Sequence, residues 1–204
     1  MNKVIHAAVR RDLARLENAL GGVSDGDQRR ARGLHRAWKQ LADQLRHHHT
    51  QEDTILFPVF VHLGVDRGLV EALEGEHAAM AQALLDIDSA MSSYAASGSA
   101  VDAADAAEAV RKGRPVVDQH LAHEEAELEP AIAGFAAEPE LVQAMKQLRA
   151  QPPRRAGWFF AWLEDGAGPE ERAYLATAVP GPVRLVLGRG FGRGYHRSIA
   201  STWR

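Results

Sequence analysis

The chain has 204 residues, of which 46% are hydrophobic and 25% charged, a globular composition that excludes a collagen, a disordered polymer and a disulfide-stapled miniprotein. A formal charge of -3 argues against a protein whose main task is to coat nucleic acid. Ten His stand beside no Cys, which excludes disulfides, iron–sulfur clusters and thiolate zinc sites, so any metal must be held by imidazole and carboxylate.

The N-terminus moves directly into an amphipathic pattern without a basic, apolar and small-residue leader, and the expectation is a cytoplasmic chain. No apolar run approaches the roughly 18–20 residues of a membrane span. Apolar residues recur at steps of three and four, which predicts helices. The first carries Val9, Leu13, Leu16 and Leu20 on one stripe and stops at Gly21-Gly22. The second runs from about 27 to 62 with Leu34, Trp38, Leu41, Leu45, Ile55 and Val59 inward, and Pro58 is expected to bend its last turn. The third covers about 67 to 95, with Val70, Leu73, Met80, Leu84, Ile87 and Met91 on its stripe. The fourth covers about 102 to 135, with Gly113 and Pro115 marking a break or kink.

Four such helices with short loops predict an all-α, up-down-up-down four-helix bundle over residues 1–135. Residues 136–204 form a C-terminal helical extension. A short helix with Leu141, Met145 and Leu148 leads to Pro152-Pro153, after which eight of the thirteen aromatics fall between Trp158 and Trp203. No acid follows Glu171, while Arg184, Arg189, Arg193, Arg197 and Arg204 do. The aromatic segment from Trp158 to Trp162 is expected to pack across the bundle, with Tyr195 and Trp203 as anchors. The alternatives are a membrane interface or protein partner for that segment, and nucleic acid or anionic lipid for the arginines.

The informative positions are the gaps in the stripes. His6 precedes Val9 on the first; His48 and Glu52 lie between Leu45 and Ile55 on the second; His77 lies between Leu73 and Met80; His120 and Glu124 follow Val117 on the fourth. Residues four apart on a helix are stacked neighbours, so each His/Glu pair points two ligands at one volume. The two pairs also share spacing, His48 to Pro58 and His120 to Pro130, as a duplicated half-site would. Unpartnered, these buried groups would cost several kcal/mol each, more when ionised. Interhelical salt bridges are the plainer explanation. Two carboxylates with four imidazoles instead suit a pair of iron ions, with Glu52 and Glu124 bridging, His6 and His48 on one iron, and His77 and His120 on the other. Zinc and manganese accept the same donors. His35, His47, His62 and His196 fall off the stripes and are expected in solvent, while Met80 and Met91 are core filler and Trp38 packs above the site.

His48-His49-Thr50-Gln51-Glu52-Asp53-Thr54-Ile55-Leu56-Phe57-Pro58 resembles the helical motif of the hemerythrin-like, or HHE cation-binding, domain. The resemblance extends through His120 to Pro130, Glu76-His77 and His6, over roughly residues 1–135. It implies a non-haem di-iron centre, commonly oxo- or hydroxo-bridged, that meets O2, H2O2 or NO. Oxygen-carrying members have two His one turn apart on the third helix, whereas Leu73 precedes His77 here. Either one iron keeps an open position or another side chain fills it; His49 is the first candidate, followed by Glu74 and His123. An open position would favour peroxide or nitric oxide chemistry over oxygen carriage, and so few carboxylates disfavour hydroxylation of inert C–H bonds. The alternatives are oxygen or iron binding, sensing or storage without turnover, and a regulator whose basic tail contacts nucleic acid.

Overall fold

The computed structural model describes residues 1–203 and is helical throughout, with no strand among them; Arg204 lies outside the described residues. Helix α1 spans Asn2–Leu20 and ends at Gly21. Helix α2 spans Gln28–Gln51 and starts where the Asp27 carboxylate accepts from the Arg30 amide. A π turn, Glu52–Leu56, joins it to α3, Phe57–His62. Helix α4, Arg67–Ser97, is capped by Asp66 and stops at Gly98, which takes the left-handed conformation at φ 68°. Ser99 then caps α5, Ala100–His123, which passes through a second π turn, Glu124–Leu128, into α6, Glu129–Ile132. The extension comprises α7 (Pro139–Arg149), α8 (Pro153–Glu164), α9 (Pro169–Ala178), α10 (Gly181–Leu185), a π turn over Val186–Phe191, and α11 (Arg193–Ser198).

Helices α1, α2, α4 and α5 pack as a closed ring, each against the next. Of the break or kink expected at Gly113 and Pro115, the break does not occur: α5 runs on through both. Gly113 serves packing instead. A Cβ there would stand 2.8 Å from the Ile87 Cδ1 of α4, so the glycine lets these two helices approach closely.

The buried apolar residues form two clusters. The larger runs from Val9, Leu13 and Leu16 through Leu34, Trp38 and Leu45 to Met80, Ile87 and Val117. The smaller holds Phe57, Phe60, Val70, Leu73, Leu128 and Leu141. On α2, α4 and α5 the inward His and Glu residues fall between the two, so a polar layer crosses the bundle there. Phe160, Trp162, Leu175, Tyr195 and Ile199 of the extension belong to the larger cluster. The aromatic segment therefore packs on the bundle. The Trp162 indole donates to Asp12 Oδ2 (2.9 Å), Arg11 donates to the Trp162 carbonyl (3.0 Å), and Arg30 donates to the Thr202 carbonyl (2.6 Å).

Candidate metal centre

The site begins with two prolines. Pro58 and Pro130 have no N–H to return to Thr54 and Ala126, and the helical ladder widens just before each of them. Phe57 N–H reaches back five residues to the Glu52 carbonyl, and Glu129 N–H does the same to Glu124. Each Glu of the duplicated half-site thus opens a π turn, a distortion common at functional positions. His48 and His49 end α2 just before the first turn, and His120 sits in the last turn of α5 just before the second.

The inward side chains gather into two triads, His6/His48/Glu124 and His49/His77/His120; in each, the ligand atoms lie within 4.8 Å of one another. In the first, His6 Nε2 is 3.1 Å from Glu124 Oε2 and 3.4 Å from His48 Nε2. In the second, His77 Nε2 faces His120 Nε2 at 3.2 Å, and His49 stacks on His77 with ring centroids 4.2 Å apart. Glu52 spans the triads, with one oxygen 3.2 Å from His48 and the other 3.7 Å from His77. Glu124 also touches both, since its Oε2 lies 4.0 Å from His120 Nε2.

This geometry fits bound metal. Bonds of about 2.1 Å from metal to nitrogen place adjacent donors about 3.0–3.4 Å apart, a spacing met by His6 with Glu124, His6 with His48 and His77 with His120. His49 Nε2, Glu52 Oε2 and Glu124 Oε1 are all buried without a hydrogen-bond partner. Three orphaned acceptors or donors in one layer would be costly if nothing bridged them. Burial pushes His48 down to about 3, reinforced by its His neighbours, and burial likewise lowers His49 and His120. These imidazoles stay neutral, as metal coordination requires. Burial and the facing Glu124 carboxylate push Glu52 well up. Burial alone would raise Glu124 as well, but the His6 hydrogen bond and the surrounding His residues hold it down. The pair therefore favours sharing one negative charge until a cation arrives.

Three carboxylates that periodicity did not single out support the imidazoles from behind. Glu125 accepts from His6 Nδ1 (2.8 Å) and is held in turn by Arg10 (2.7 Å). Asp53 accepts from His77 Nδ1 (2.6 Å), and Glu76 Oε2 from His120 Nδ1 (3.0 Å). With Nδ1 donating, Nε2 is left with its lone pair toward the triads. The available signal was the doubled acid of each half-site, Glu52-Asp53 and Glu124-Glu125, and the acid immediately before His77. Asn2 adds a hydrogen bond from its side-chain amide to Glu124 Oε2 at 3.1 Å.

The candidates for an additional ligand separate cleanly. His49 lies within the second triad. His123 is outside both, half-buried, with its Nδ1 on Glu76 (2.8 Å). Glu74 is exposed, because it directly follows the inward Leu73 and is turned about 100° from it around α4, and the structure does not bring it to the site. His62 and His196 are exposed and His35 and His47 half-buried, all away from the triads.

The hemerythrin HHE cation binding domain matches residues 3–132, a span that contains every residue of both triads. The chain belongs to that family. No curated protein and no solved structure matches it significantly. The family is defined by cation binding, and this hemerythrin-like chain offers two buried groups of His and Glu that could hold the metal.

Proposed function

We propose that this is a di-iron protein that binds or turns over a small oxidant, O2, H2O2 or NO. In this reading His6 and His48 hold one iron, His49, His77 and His120 hold the other, and Glu52 and Glu124 are shared. The observation that carries it is the set of buried, partnerless atoms His49 Nε2, Glu52 Oε2 and Glu124 Oε1 within one polar layer. A pair of irons, when bound, supplies one-electron exchange with such a ligand.

The chain's own residues set the character of the site. His49 supplies the imidazole that Leu73 cannot, which gives three imidazoles on one side and two on the other. The His6/His48 side is therefore the one with room for an external ligand. His48 is also the more accessible imidazole there, with a side chain 11% exposed against 0% for His6. Asn2, hydrogen-bonded to Glu124, borders the same side. Glu125 and Arg10 fix the His6 ring, while Leu45, Val9 and Leu121 exclude bulk water from the larger cluster above.

Elemental analysis and the visible absorption of protein from iron-replete cells test the reading. Two irons per chain are expected, while folded, colourless, metal-free protein would overturn it, and two zinc or manganese ions would replace iron with the donors unchanged. Steady peroxide decomposition by the loaded protein, lost in Glu52→Ala, marks turnover; reversible oxygenation without consumption marks a binder.

A further inference from the structure

The outer surface of the extension is not what an ordinary solvated helix presents. From the π turn that follows α10 into α11, one side is pressed on α8. Gly188, Gly192, Tyr195 and Ile199 are buried there at steps of three and four. Cβ atoms on Gly192 and Gly194 would stand 2.7 Å from the Ala161 Cβ and 2.8 Å from the Trp158 ring, so glycine is what allows this close seat.

The opposite side carries Leu185, Arg189, Arg193 and Arg197, all exposed and four residues apart, with exposed Val183 and Val186 beside them. Leu185 and Val186 are each 54% exposed, and Val183 47%. The ion-paired arginines among the described residues are Arg10, Arg11, Arg15, Arg46, Arg111 and Arg114, so Arg189, Arg193 and Arg197 are not neutralised. Arg184 differs, since it is half-buried and faces Glu164. No acid occurs after Glu171 to balance the strip, although the whole chain is net negative at -3.

We propose that this strip, Val183 to Arg197, docks the protein on an anionic lipid bilayer. Aliphatic side chains enter the boundary between headgroups and acyl chains, while the guanidinium groups at Arg189, Arg193 and Arg197 stay at the phosphate level. Charge complementarity selects an anionic surface. The exposed aliphatics favour a bilayer over nucleic acid, because a phosphate backbone would use the arginines and leave Val183, Leu185 and Val186 in water. The membrane is touched and not crossed, for no helix is long and apolar enough to span it.

Co-sedimentation of the full chain with vesicles tests this, using pure phosphatidylcholine and phosphatidylcholine mixed with phosphatidylglycerol at moderate salt. Binding is expected only to the mixed vesicles. Replacing Arg189, Arg193 and Arg197 together by Gln is expected to lower partitioning by roughly two orders of magnitude. The pair Leu185→Asp and Val186→Asp is expected to abolish it, with helicity and bound metal unchanged because both positions are exposed and remote in sequence from the triads. Failure to sediment with anionic vesicles overturns the proposal. Full binding by the aspartate pair overturns it too, as does retardation of duplex DNA in place of vesicle binding.

Discussion

Two buried carboxylate clusters occupy this bundle, and they are opposites. Asp12 is 2% exposed, yet its oxygens accept from Arg11 (2.8 Å), Arg15 (3.1 Å) and the Trp162 indole (2.9 Å). Arg15 continues to Asp165 (3.0 Å), which also accepts from the Tyr195 hydroxyl (3.2 Å). Every oxygen of Asp12 is occupied by a proton donor. Glu52 and Glu124 are just as buried, but each keeps an oxygen that meets no donor. Asp12 stabilises the apoprotein by joining the extension to α1. The glutamates destabilise it until something positive enters. A satisfied buried charge is part of the architecture; an unsatisfied one marks a place for a ligand.

This contrast is open to direct attack. The largest effect is expected from the double variant Glu52→Gln and Glu124→Gln. Iron per chain should fall from about two to below one by elemental analysis, while the metal-free protein unfolds at an equal or higher denaturant concentration because two ill-compensated carboxylates are gone. Asp12→Ala should do the reverse. It is expected to cost about 3–5 kcal/mol in chemical unfolding, since two arginines and an indole lose their shared acceptor. Its second triad, on α2, α4 and α5, should still take up metal.

Smaller effects probe the supports. Asp53→Asn keeps the bulk beside His77 but weakens its orienting hydrogen bond, and should lower metal affinity about 10–100-fold in a chelator competition while leaving apoprotein stability nearly unchanged. The smallest is a pH effect far from the site. Burial alone would raise the Asp88 pKa, but the Trp38 indole hydrogen bond and Lys39 outweigh it and hold the carboxyl below its usual range. Its stabilisation is therefore complete above the unfolded value near pH 4 and is lost as pH falls through the lower folded value. Asp88→Asn should flatten urea-midpoint curves below about pH 4 by a few tenths of a kcal/mol.

What could be read from the chain follows the range of each interaction. His6, His48, Glu52, His77, His120 and Glu124 were visible because periodicity is local and each interrupts an apolar stripe on its own helix. The role of His49 was less visible, since it sits at the stripe edge, and only the approach of α4 stacks it on His77. Glu76, Asp53 and Glu125 face partners on other helices, so the adjacent acids in the sequence could mark them but not say which His each one holds. Nothing local marks Asp12, because its indole donor arrives 150 residues later in the chain. Gly113 and Pro115 show the converse, since a local breaking signal did not end α5 and Gly113 instead gives its room to Ile87 of α4.

The paired π turns have a consequence beyond the centre itself. Each holds one residue more than an α-helical turn would, so everything beyond it is rotated by about 100° relative to a continuous helix. The duplicated turns act as matched phase shifters on α2 and α5. They let the smaller cluster around Phe57, Phe60 and Leu128 choose its own inward face, independent of the stripes that build the larger one. Deleting a single residue inside one turn, such as Thr54, would restore the ordinary phase, turn Phe57 and Phe60 away from Leu128, and leave the two ends of the bundle in conflict across the layer where metal is meant to sit.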